Sequence, residues 1–117
     1  MIFKPELARK VVDGSKTMTR RKLPCHYGVG RWYKVQPGRG KFHVCHVLTG
    51  GVRDERLGDI TLGDAWAEGF KRVSDFVDYW MQINKVWNPN ERVAVISWSG
   101  VEVRECCAEL SNKEVKA

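Results

Sequence analysis

Segments with strand character lie on both sides of a helical stretch in this 117-residue chain, and that order is its strongest constraint. Thr17 to Arg21 reads as extended, and Trp32 to Gln36 as a strand ended by the turn Pro37-Gly38-Arg39-Gly40. Phe42, Val44 and Val47 begin a longer strand that the pair Gly50-Gly51 is expected to end, and a second extended piece covers Val52 to Leu57. Two helices follow. Thr61 is the expected N-cap of the first, with Asp64 at its third helical position and Gly69 as its stop. Ser74 is the expected cap of the second, which runs to about Asn84 with Phe76, Val77, Trp80 and Ile83 on its core face. A final strand covers Arg92 to Ser97. At the other end, Pro5 opens a helix whose stripe is Leu7, Ala8, Val11 and Val12, with Gly14 as C-cap. Strands from both ends must therefore pair across the helical insertion. This suits a small α+β fold, a mixed or partly closed β-barrel with helices at its rim. A doubly wound parallel sheet is disfavoured, because strands and helices do not alternate.

The length fits one domain, expected over residues 1–104 with a polar C-terminal tail at 105–117. No apolar run is long enough for a membrane span. The start MIFKPELARK lacks the apolar core of a signal sequence. Cys25, Cys45, Cys106 and Cys107 do not form a disulfide framework, since two are adjacent; the expected setting is reducing and cytoplasmic.

The formal net charge is +6, and it is unevenly placed. Residues 1–53 hold twelve Lys/Arg and two Asp/Glu, whereas residues 54–117 hold eight Lys/Arg and twelve Asp/Glu. A basic half fits a phosphate-rich partner, although a solvated basic surface explains the same count. The excess gathers at Arg20-Arg21-Lys22 and Arg39-Gly40-Lys41, near turns, which favours nucleic acid. Arg39, between two glycines, is well placed to present a guanidinium to a backbone phosphate. On a strand, Arg20 and Lys22 share a face and Arg21 takes the other. Tyr27 and Trp32 flank the basic loop and are candidates to stack on bases, with ordinary packing as the alternative. Trp80 is core by spacing, and Trp66 and Trp98 are expected in the core or in a cleft wall. His43, Cys45 and His46, with Cys25-His26, lack the spacing of a structural zinc site, so neither a metal nor a cofactor is expected.

Several stretches resemble the ASCH domain family, small domains related to the PUA fold of RNA-binding modules. They are Gly14-Ser15-Lys16-Thr17-Met18-Thr19-Arg20, Val29 to Val35 with Gln36-Pro37-Gly38, and Asp59-Ile60. Asp64-Ala65-Trp66-Ala67-Glu68-Gly69-Phe70, then Phe76 and Trp80, and the strand Val93 to Trp98 complete the match over roughly residues 1–100. The resemblance implies a PUA-like barrel of five to six strands, two to three rim helices, and a cleft for RNA or a modified nucleoside. One branch consists of acetylcytidine amidohydrolases, whose catalytic Lys, Thr and Glu match Lys16, Thr19 and Glu68. Another member type is a metal-independent ribonuclease that also uses a Lys. The long 22–30 loop and the Pro-Gly-Arg-Gly turn depart from the amidohydrolase branch.

Read without the family, Lys16 follows a helix end and is either a solvated or helix-binding cation or a cleft Lys shifted by burial. Thr19 is common strand chemistry, and alternation separates it from Lys16 unless a bulge or turn intervenes. Glu68 is either an exposed helix-end carboxylate or a partner for nearby cations. The leading expectation is a monomeric domain binding single-stranded RNA or a modified nucleoside, with single-stranded DNA as an alternative ligand. A hydrolase in the same cleft is the second reading, with Thr19 as nucleophile, Lys16 as activator and Glu68 as proton relay. A basic module for an acidic protein is the third.

Overall fold

The structure, a computed structural model, describes residues 1–104; the expected tail at 105–117, with Cys106 and Cys107, lies outside the described residues. Its elements run α1 (Pro5–Asp13), β1 (Met18–Lys22), β2 (Trp32–Val35), β3 (Cys45–Arg56), a 3-10 turn (Leu57–Asp59), α2 (Leu62–Glu68), α3 (Val73–Asn84) and β4 (Arg92–Val103). The strands form one sheet in the order β1-β4-β3-β2, with each neighbouring pair antiparallel. Strands from both ends of the chain do pair across the helices, as β4 lies between β1 and β3.

The five to six mixed strands of the expected barrel are not found among the described residues. The sheet has four strands and is open, because its edge strands β1 and β2 do not pair with each other. Among the described residues, parallel pairing is limited to one isolated bridge, Ile2 to Gln36. Part of the difference lies at Gly50-Gly51, where the expected strand end is absent and β3 continues for 12 residues. The register against β4 shifts twice, skipping Ser99 of β4 between Leu48 and Thr49 and Gly50 of β3 between Thr49 and Gly51, so the strand bends through an irregularity and does not end. Gly51 sits tightly there: a Cβ would lie 2.9 Å from Ser97 Oγ.

The central strand β4 explains where the core sits. Val93, Ala94, Val95 and Ile96 are all buried, so both faces of the strand are covered. Ala94, Ile96 and Trp98 join Phe3, Leu7, Val11, Val35 and Val47 in one cluster beneath α1. Val93 joins Leu57, Ile60, Ala65, Phe76 and Trp80 in a second beneath α2 and α3. Burial of such side chains contributes about 1.5–3 kcal/mol each.

Helix ends follow their sequence signals in part. The Thr61 side chain accepts from Asp64 N at 3.1 Å, closing the N-terminus of α2. Gly69 ends α2 in the left-handed region, at φ 100°, which favours glycine. Ser74 is not the cap of α3; Arg72 holds that position without a side-chain hydrogen bond, and Ser74 lies in the first turn. Ile83 is 43% exposed, not core, and Trp66 is 59% exposed, its indole donating to Lys71 O at 3.0 Å. Trp98 and Trp80 are buried as expected. Among the described residues, no helix is long and apolar enough to cross a membrane.

Candidate nucleic-acid cleft and its buried ion network

Lys16 precedes β1, and α1 ends two residues earlier at Gly14. Its backbone N donates to Lys10 O at 3.0 Å, so the turn after α1 steers the side chain inward. The ammonium donates to Met18 O at 2.7 Å, Glu68 O at 2.9 Å and Glu68 Oε1 at 3.0 Å. Both side chains are almost fully buried. Burial lowers the Lys16 pKa, and the adjacent Glu68 carboxylate works against that shift. Three acceptors around one nitrogen match the three protons of an ammonium.

Glu68 is shared. Its second oxygen receives Arg20 Nη1 at 3.0 Å, and Arg20 Nη2 reaches Asp64 Oδ2 at 2.8 Å and Glu55 Oε1 at 3.1 Å. Arg53 closes the chain, with Nη2 2.9 Å from Glu55 Oε2 and 3.7 Å from Asp64 Oδ2. Lys16, Arg20 and Arg53 thus meet Glu55, Asp64 and Glu68, three cations on three carboxylates. Desolvation opposes the charge on Arg20, but Glu68 and Glu55 outweigh it and raise its pKa. Arg20 Nε has no hydrogen-bond partner among the described residues.

The network divides β1 by face. Arg20 points to α2, and its side chain has no exposed surface to offer a phosphate. Arg21 points the other way, its guanidinium 4.8 Å from the Phe3 ring centroid and donating to Ile2 O at 3.1 Å. Lys16 Nζ lies 5.2 Å from the same ring, so Phe3 joins the buried network to Arg21. Thr19 is buried and pairs with Ile96 in register. Its hydroxyl takes no part in the hydrogen bonds of Lys16 and Glu68, so the structure joins two members of the expected trio directly.

Beside Arg21 opens a cavity of about 480 Å³, whose lining includes Phe3, Lys4, Arg21, Arg39, Tyr79 and Ile83. The N-terminal segment forms one wall because Phe3 N donates to Gln36 O at 3.0 Å and Gln36 N to Met1 O at 2.8 Å. The Pro37 to Gly40 turn then carries Arg39 to the rim. Burial pushes the Tyr79 hydroxyl up; Arg21 opposes the shift, while Glu68 and Glu6 add to it. A volume of this size is within the usual range for small-ligand pockets, about 300–1,000 Å³.

The remaining candidates separate. Lys22 is half exposed and lies 3.7 Å from Glu91. Tyr27 is partly buried, packed edge-on against Tyr33 at 4.9 Å. Trp32, Arg39 and Lys41 are exposed. Among the described residues, no group of three or more His, Cys, Asp or Glu is placed to hold a metal ion. Sequence reasoning missed Phe3 and Tyr79 as cleft residues and Glu55 as a partner of Arg20. The signal for Tyr79 was its position beside Trp80 on a helix whose other face is core.

No family model matches the sequence, and no curated protein does. Solved structures do match. An Enterococcus faecalis protein of the DUF984 family superposes with a TM-score of 0.66 at 16% identity, over 86% of this chain and 72% of that one. The ASCH protein of Zymomonas mobilis gives 0.66 at 13% identity, over 93% and 74%. The chain has the ASCH-domain fold. An ASCH domain from Lactobacillus crispatus agrees, at 0.63 and 12% identity over 80% and 69%. On this ASCH fold, the cleft lies between the N-terminal segment, β1, α3 and the turn after β2.

Proposed function

We propose that this chain is an RNA-binding ASCH domain that holds a nucleotide of single-stranded RNA, or a modified nucleoside, in the cleft beside Arg21. The observation that carries the reading is the pairing of cations with a partly open aromatic ring in one cavity: Arg21, seated on the buried Phe3, and Arg39 with Tyr79. Guanidinium groups suit phosphate oxygens, and aromatic rings suit the faces of bases. The buried network supports the reading as scaffold, since Glu68 ties Lys16 and Arg20 to α2. Charge-assisted hydrogen bonds of this kind are short, strong and geometrically specific.

The test is the affinity of a fluorescently labelled single-stranded RNA for wild type, Arg21→Ala and Tyr79→Ala. Loss of one charge-assisted phosphate contact, about 1.5–3 kcal/mol, weakens binding by about tenfold or more. Wild-type affinity in both variants would reject the cleft as the RNA site.

A second reading is a hydrolase acting on an acetylated cytidine or on RNA, favoured by the Lys16–Glu68 pair at 3.0 Å together with the resemblance. For the amide, the Thr19 hydroxyl adds to the acetyl carbonyl, Lys16 and Glu68 move its proton to the leaving nitrogen, and water then releases acetate. That chemistry needs Lys16 to give up the proton that its three acceptors now hold. Turnover of acetylated cytidine by wild type, abolished in Thr19→Ala with the fold intact, would establish it.

A further inference from the structure

β2 turns one face away from the core. Val35 is buried, whereas Trp32 and Lys34 are exposed, in register with Leu48 and His46 of β3. On β4 the next partners are Gly100 and Glu102. Trp32 is half exposed, and its ring rests against the sheet: a Cβ at Gly100 would lie 3.7 Å from Trp32 Cη2 and 3.5 Å from Leu48 Cβ. The far edge of the indole thereby lies close to the sheet while the residue keeps a large open surface.

A second aromatic platform lies where β3 begins. Phe42 is 83% exposed, the most exposed large apolar side chain among the described residues. The Arg104 guanidinium lies 5.3 Å from its ring centroid and donates to His43 O at 3.3 Å. The His43 and His46 rings meet at 4.7 Å, and Lys34 pairs with His46 in register. Lys34, Lys41 and Arg104 form no ion pair with a described residue. Glu102 is the carboxylate that the register places on this face, beside His46.

We infer that this outward face of β2 and β3 is a second tract for the same single-stranded RNA, so that the ligand of the cleft is a polynucleotide and not a free nucleoside. The inference rests on reading the cleft as an RNA site. Continuity favours it: Pro37, Gly38 and Arg39 line the cleft, and Lys41 and Phe42 follow directly on the other side of the turn. From Phe42 to Leu48, the partner of Trp32, is six residues, at most about 20 Å of chain. Two separated rings, with cations beside them that form no ion pair with a described residue, match the alternation of bases and phosphates along a strand. An apolar protein surface would instead need one continuous apolar patch.

The test compares a labelled single-stranded RNA 12-mer with the mononucleotide UMP. The double variant Trp32→Ala/Phe42→Ala is expected to weaken the 12-mer by about tenfold or more, given the stacking contribution of each base. UMP binding, followed by chemical shifts, stays at the wild-type value, and Trp32→Phe with Phe42→Tyr restores the 12-mer. Undiminished 12-mer binding by the alanine double variant overturns the inference. So does an equal loss for UMP, which would mean that the face acts through the cleft. Poly-glutamate bound as tightly as the 12-mer would give the face to an acidic protein and also overturn it. Failure of the cleft reading itself looks different, because Arg21→Ala would then leave both ligands unaffected.

Discussion

Arg20 and Arg21 are neighbours on one short strand and have opposite fates. Arg20 is sealed beneath α2, held by Glu55, Asp64 and Glu68. Arg21 lies over Phe3 at the edge of the cleft and forms no ion pair with a described residue. Strand alternation sends them to opposite faces, and what waits on each face decides the rest. The same contrast runs across the molecule. On the α2 side every cation of the network is matched by a carboxylate, while around the turn after β2 Lys34, Arg39 and Lys41 are left to solvent. A count of basic residues therefore says little about binding. The informative quantity is how many of them lack a partner.

The comparison breaks most readily at Glu68. Replacing it with Gln leaves Lys16 and Arg20 buried without their shared carboxylate, and such losses cost about 3–5 kcal/mol. Chemical denaturation should show that fall. A loss of the size typical of an exposed pair, below about 1 kcal/mol, would mean that the network is not what holds α2 to β1.

The next effect sharpens the contrast between neighbours. Arg21→Ala should weaken single-stranded RNA about tenfold, as one charge-assisted contact is lost, while costing no more stability than the cation–π contact, about 1 kcal/mol. An Arg21→Ala variant that unfolds would place Arg21 with Arg20 as a structural residue.

Arg39→Ala should act more weakly and without regard to base identity. A turn guanidinium at the rim holds phosphate, so a panel of homopolymer RNAs should each lose affinity by a similar factor of about three to ten. A loss confined to one base would make Arg39 a reader of sequence.

The smallest expected effect is a pH dependence at the outer face. Partial burial and the charges of His46, Arg104 and Lys34 hold the His43 pKa below its ordinary value of 6.5. In the free protein His43 is therefore neutral at pH 7, and a bound phosphate draws it toward the charged form. RNA binding then takes up a proton, and affinity should rise as the pH falls toward the lowered His43 pKa. The Glu102 carboxylate, beside His46 in register, moderates the gain. An affinity that is level from pH 7.5 to 5.5, or that falls, would remove His43 from the binding surface.

Local signals carried much of the fold. The Pro5 and Gly14 ends of α1 and the Thr61 and Gly69 ends of α2 were legible because caps act within a few residues. The unbroken β3 was not. Two adjacent glycines look like a stop, and their role in a strand irregularity beside Ser97 depends on a strand more than 40 residues away. The closure expected of a barrel likewise depended on edges that local pattern cannot register. In the site, Lys16 and Glu68 were legible through the motifs that carry the resemblance. Glu55 was not, since it meets Arg20 across β4, which lies between their strands. Phe3 and Tyr79 were hidden for a similar reason: each reads as ordinary packing until the N-terminal segment is pinned to Gln36.

The most direct test of the central claim is the salt dependence of single-stranded RNA binding by wild type and by Arg21→Ala/Arg39→Ala. If the cleft holds phosphates, log affinity falls linearly with log salt, with a slope of about −0.7 per phosphate contacted. The double variant should bind more weakly with a slope shallower by about 1.4, the share of two phosphates. Affinity that ignores salt, or a double variant whose line overlays that of the wild type, would contradict the account.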